Sequence, residues 1–147
     1  MSLVIPEALM RAIHRHGEGA YPHEGAGMLL GRLADGRKQG VRILGLENRR
    51  EESARHNRYL IEPQDYLSAE LEAERQGLEV LGIFHSHPDH PDQPSEFDRE
   101  WALPGFSYLI TRVQAGRVQG SRSRLLSEDR LSFIEQPLES GDGTVSG

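Results

Sequence analysis

The run Leu78-Glu79-Val80-Leu81-Gly82-Ile83-Phe84 is nearly all apolar and short. That pattern predicts a mostly buried strand. Upstream the period changes. Leu9, Met10 and Ile13 form one apolar stripe at helical spacing. They predict a helix from Pro6 to about His16, ended by Gly17 and Gly19; proline is tolerated at the first position because its missing N–H had no partner there. Gly25 to Gly31 reads as a strand entering the core, Ala34-Asp35-Gly36 as a hairpin turn, and Val41 to Glu47 as the returning strand. Glycines this dense in a strand imply close approach of another backbone or a ligand. Asn48 to Asn57 is polar and predicts a loop, and Arg58 to Ile61 a short strand. Pro63 starts a second helix to about Gln76, with Gly77 as its C-terminal cap.

Beyond the apolar run, a proline-rich loop over 88–94 leads to a short helix from Ser95 to about Leu103. Strands follow at Phe106–Val113, Arg117–Gly120, Ser123–Leu126 and Leu131–Gln136. From Pro137 the chain turns to Gly, Ser and acid, which predicts a disordered tail over 137–147. Strands and helices interleave without a regular beat. The expected fold is therefore α/β, a mixed sheet flanked by helices, in one domain over residues 1–136. A chain of 147 residues has room for one such core and not two.

Charge and composition narrow the function classes. The net charge is −6, and no element gathers Lys and Arg into a basic face. Arg112, Arg117, Arg122 and Arg124 read as solvated strand edges, so no nucleic-acid partner is expected. No apolar run nears the roughly 20 residues of a membrane helix. The N-terminus has no basic segment followed by a long apolar core, so no membrane partner and a cytoplasmic location are expected. There are no cysteines. Their absence excludes disulfides, thiol nucleophiles and Cys-ligated zinc, including the zinc chemistry of nucleobase deaminases.

Phe84-His85-Ser86-His87-Pro88 closes the apolar strand. Residues two apart on a strand point to one side, so His85 and His87 can reach one cation. Past the loop comes Asp98, an oxygen donor. Two histidines and a carboxylate leave an open fourth position on a tetrahedral metal, the arrangement of a catalytic zinc. Ser95 and Asp98 also have the spacing of a capping box, which would hold Asp98 at the helix start. The letters from His85 to His90 also spell the H-x-H-x-D-H of metallo-β-lactamase-like hydrolases, but no histidine follows His90 to complete that ligand set. Asp89, His90 and Asp92 read as a solvated loop at the edge of the site. His14 and His16 read as surface histidines near a helix C-terminus.

Glu24, then His85-Ser86-His87-Pro88, then Ser95-x-x-Asp98 resembles the JAMM metalloprotease family (active MPN domains), and within it the small prokaryote-type members. The likeness runs over about residues 3–136 and is concentrated in 24–31 and 84–98. Many relatives have Cys where this chain has Ala26. The resemblance implies the MPN fold, which is cytidine-deaminase-like. It implies that His85, His87 and Asp98 hold Zn2+, that Glu24 is the general base for a zinc-bound water, and that Ser95 helps stabilise the oxyanion. It further implies hydrolysis of the amide after the C-terminus of a ubiquitin-like protein, here of the small β-grasp sulfur-carrier type. Two other functions are alternatives: a non-catalytic MPN-like scaffold that binds a partner protein, against which the complete metal set argues, and a metal-dependent hydrolase of small amides, which would need an enclosed pocket in place of an open groove.

Overall fold

The computed structural model of this chain describes residues 1–46 and 61–141. The expected loop at 48–57 and nearly all of the strand at 58–61 lie outside them. The described chain holds β1 (Leu3–Ile5), α1 (Glu7–Ala20), β2 (Ala26–Ala34), β3 (Arg37–Leu46), α2 (Pro63–Arg75), β4 (Glu79–Pro88), α3 (Glu96–Glu100), β5 (Ser107–Gln114), β6 (Arg117–Leu126), β7 (Phe133–Gln136) and β8 (Leu138–Ser140). They form one sheet in the order β7-β6-β5-β4-β2-β3-β1-β8. β4 and β5 run parallel, as do β1 with β3 and β1 with β8, while the other pairs are antiparallel. The mixed α/β sheet expected from the interleaved pattern is the one observed. Among the described residues no helix is long and apolar enough to cross a membrane.

β4 is the strand predicted from the apolar run, extended through Pro88. Its two faces have different partners. Ile83 packs with Ala69 and Ala73 of α2, Met28, Tyr108 and Ala102. Phe84 packs with Ile13 of α1, Leu3, Ile5 and Leu29. Helices thus cover both faces, and β4 is buried from Leu81 to Pro88. Glycine lets its neighbours come this close. A Cβ on Gly82 would lie 1.9 Å from the Ser107 carbonyl oxygen, and one on Gly27 would lie 2.3 Å from the Phe84 ring. The dense glycines therefore mark close packing of backbone and ring, as their number in a strand implied.

Several boundaries differ from the sequence expectation. α1 does not end at Gly17 but runs on to Ala20. Gly17 is a contact position, where a Cβ would sit 3.2 Å from that of Ser86. The two segments expected at 117–120 and 123–126 are one strand, β6, whose register with β5 shifts between Arg112 and Val113. α3 spans only Glu96–Glu100. The tail expected to be disordered from 137 begins instead with β8, whose Leu138 pairs with Leu3 of the buried β1. An edge strand beside a buried one supplies hydrogen bonds that a composition count ignores. Residues 142–147 lie outside the described part.

Candidate metal centre

Glu24, His85, His87 and Asp98 come together at the end of the β4–β5 parallel pair. One ligand atom from each lies within 4.8 Å of the others, and all four residues are buried. His85 and His87 continue the Ile83 face of β4, as strand alternation requires. Glu24 arrives on the turn between α1 and β2. Ser86, on the opposite face, fixes that turn: its backbone N–H donates to the Gly25 carbonyl at 2.9 Å, and its hydroxyl accepts from the Gly25 N–H at 2.9 Å. This supporting role for Ser86 follows from the same alternation that pairs the histidines, yet nothing in its residue type signals it.

Asp98 is delivered by the start of α3. The Ser95 N–H donates to Asp98 Oδ2 at 2.7 Å, and the Asp98 N–H donates to Ser95 Oγ at 3.0 Å. This is the reciprocal capping box anticipated from Ser-x-x-Asp. Burial pushes the Asp98 carboxyl up, but His85, His87 and the Ser95 N–H together hold it well below the usual carboxylate range.

Both imidazoles are oriented from behind. His85 Nδ1 lies 3.1 Å from Glu24 Oε1, and His87 Nδ1 lies 2.8 Å from the Pro91 carbonyl oxygen. A carboxylate and a carbonyl can only accept, so each Nδ1 is the donor and each Nε2 faces inward. Those Nε2 atoms lie 3.9 Å and 3.4 Å from the two oxygens of Asp98. Burial pushes the His85 imidazole down, but Asp98 and Glu24 outweigh it and raise its pKa. The same buried carboxylates would favour a cation placed between the two Nε2 atoms and Asp98. The donor set and its backing bonds therefore fit a metal ion.

The loop between the ligands is exposed or half-exposed, as its composition implies, and it is tied down at several points. Asp89 accepts from the Tyr21 hydroxyl at 2.5 Å and from the Ala115 N–H at 2.8 Å. Asp92 is gripped by Arg122 and Arg124. His90 stacks on His87 with ring centroids 4.3 Å apart. Arg124 corrects the reading of that arginine run as solvated edges. It is buried, because the loop folds back over β6 and supplies it with acceptors. Arg117 stays exposed. His14 and His16 stand apart from the cluster: His14 Nε2 is 3.1 Å from Ser121 Oγ, and His16 meets the edge of Phe84. Beside Ser95, an open groove of about 250 Å³ is lined by Pro94, Arg99, Arg124 and Phe133.

A mixed sheet thus brings two imidazoles, a helix-start aspartate and a buried glutamate to one point, a donor set of the class that holds a metal ion. Residues 6–126 match the family described as prokaryotic homologs of the JAB domain, and the chain belongs to that family. It is 32% identical over 116 residues to a probable TtuB-protein conjugate cleaving protease of Thermus thermophilus, covering 77% of this chain and 74% of that protein. It is 36% identical over 74 residues to a desampylase of Haloferax volcanii, covering 47% of this chain and 53% of that protein. A solved JAB1/MPN domain protein from Archaeoglobus fulgidus shares the fold, with a TM-score of 0.55 at 18% identity over 93% of this chain and 97% of its own.

Proposed function

We propose that this chain is a zinc-dependent isopeptidase or peptidase. Its substrate is the amide bond that follows the C-terminus of a ubiquitin-like protein of the β-grasp sulfur-carrier type, and it works in the cytoplasm. The observation that carries this reading is the buried convergence of Glu24, His85, His87 and Asp98. Support for the substrate class comes from relatives that cleave protein conjugates.

His85, His87 and Asp98 would hold the ion, with their other polar atoms already committed to Glu24, Pro91 and Ser95. When bound, zinc supplies Lewis acidity, acidifying a water and polarising the scissile carbonyl. Glu24 accepts a proton from the attacking water and returns it to the leaving amine. Its burial, at 1% exposure, keeps that proton from bulk solvent. Ser95 Oγ accepts from the Asp98 N–H, which leaves its own O–H to donate to the oxyanion that develops on the attacked carbonyl. Ser95 is exposed, so a substrate can reach it.

Elemental analysis tests the metal assignment. Purified protein supplied with zinc and then dialysed should hold about one zinc per chain, by the three-ligand logic. His87→Ala should lose most of it and keep its circular dichroism spectrum, because both apolar clusters lie outside the ligand set. Zinc-free wild-type protein after that treatment would overturn the assignment.

A further inference from the structure

Arg124 is the buried arginine of β6, and it touches none of the four clustered residues in any bond described above. Burying a guanidinium is costly unless its donors find acceptors. Here they find the loop between β4 and α3: Nη1 donates to the Asp92 carbonyl, and Nη2 lies 3.6 Å from Asp92 Oδ1. The neighbouring residue in that loop is Pro91, whose carbonyl oxygen accepts from His87 Nδ1 at 2.8 Å. Arg122 also approaches Asp92, but its side chain is 54% exposed and it shares itself with Glu135. Water can replace Arg122 there; it cannot readily replace a buried guanidinium. The loop's upstream end is tied separately through Asp89. Arg124 is thus the buried hold on the downstream half, one residue from the carbonyl that sets the orientation of His87.

We propose that Arg124 is a positioning residue for the metal centre. By gripping the backbone at Asp92 it keeps the Pro91 carbonyl against His87 Nδ1, and so keeps His87 Nε2 turned toward Asp98. A paired β6, hydrogen-bonded to β5 and β7 on either side, gives this hold a rigid base. Groups that orient a metal-ligating imidazole commonly change metal affinity by about 10–100-fold when removed. The inference rests on the reading of His87 as a ligand.

The test titrates metal-free protein with zinc against a chromogenic chelator and records thermal unfolding of the same metal-free samples. Arg124→Met should bind zinc about 10–100-fold more weakly. Arg124→Lys, which can donate to the Asp92 carbonyl but cannot also span to its carboxylate, should fall between it and wild type. Gln136→Ala is the comparison for general damage to this end of the sheet. Gln136 is buried on β7 and bonded to Ser123 and to the Met1 carbonyl, neither of which belongs to the loop. It should unfold at a lower temperature and bind zinc as wild type does. Should Arg124→Met not fold, Arg124→Lys decides alone. Wild-type affinity in the Arg124 variants, or an equal loss in Gln136→Ala, overturns the proposal. His87→Ala run in parallel separates the two levels: wild-type affinity there defeats the metal-site reading itself, whereas loss there with none in the Arg124 variants defeats only the role of Arg124.

Discussion

Glu24 is 1% exposed and bonded to His85, a geometry that suits three jobs: proton carrier, fourth ligand and backing group for the imidazole. Glu24→Gln separates them. Glutamine keeps the size and can still accept from Nδ1 through its amide oxygen, but it cannot take a proton from water. Zinc content should stay at the wild-type level while turnover falls by about 10²-fold or more. Loss of zinc would make Glu24 a ligand, and unchanged turnover would leave it only a backing group. The four clustered residues were legible in the sequence for different reasons. His85 and His87 follow from strand alternation, and Asp98 from its place as an oxygen donor past the loop, with the capping spacing fixing it at the helix start. Glu24 has no local signature and is legible only through the family motif. The Pro91 carbonyl and the Arg124 grip were not legible. A carbonyl carries no residue-type signal, and an arginine looks solvated until a loop folds over it.

At the scale of elements, α3 is the part on which structure and chemistry meet. It is only five residues long, so its N-terminal cap is a large share of what holds it. Ser95→Ala removes the acceptor for the Asp98 N–H and should cost about 0.5–2 kcal/mol in denaturant unfolding. If the hydroxyl also donates to the oxyanion, turnover of folded, zinc-loaded protein should fall by roughly 10²–10³ as well. Ser95→Asp distinguishes the two, since aspartate caps as well as serine but cannot donate when ionised. It should regain stability and remain a poor catalyst at equal zinc occupancy; wild-type rates would reduce Ser95 to a cap. Most element types were readable from periodicity, but the short strands β1 and β8 were not, and the ends of the others were set by tertiary contact. α1 outlasts Gly17 because that glycine seats the helix against Ser86. β8 forms because buried β1 has an open edge to pair.

Over the whole molecule, the division of labour is spatial. One apolar cluster joins α2 to the sheet and the other joins α1 to it, while the polar cluster sits at the end of the strands between them. Ligands of open α/β sheets collect at the carboxyl ends of strands, and the His85–His87 segment lies at that end of β4. The mixed, doubly covered sheet could be anticipated from the alternation of strands and helices, but its strand order could not. The parallel pairing of β1 with β3 and with β8 brings together segments far apart in sequence, and no local pattern encodes it. The central claim is that this site hydrolyses the amide beyond the C-terminus of a ubiquitin-like carrier. It is tested most directly by intact-mass spectrometry of a β-grasp carrier bearing a C-terminal amide-linked adduct, before and after incubation with zinc-loaded protein. The expected result is loss of the adduct and recovery of the carrier ending at its own C-terminus, with the adduct left intact by Glu24→Gln. An unchanged mass with wild type, or equal cleavage by wild type and Glu24→Gln, would contradict the account.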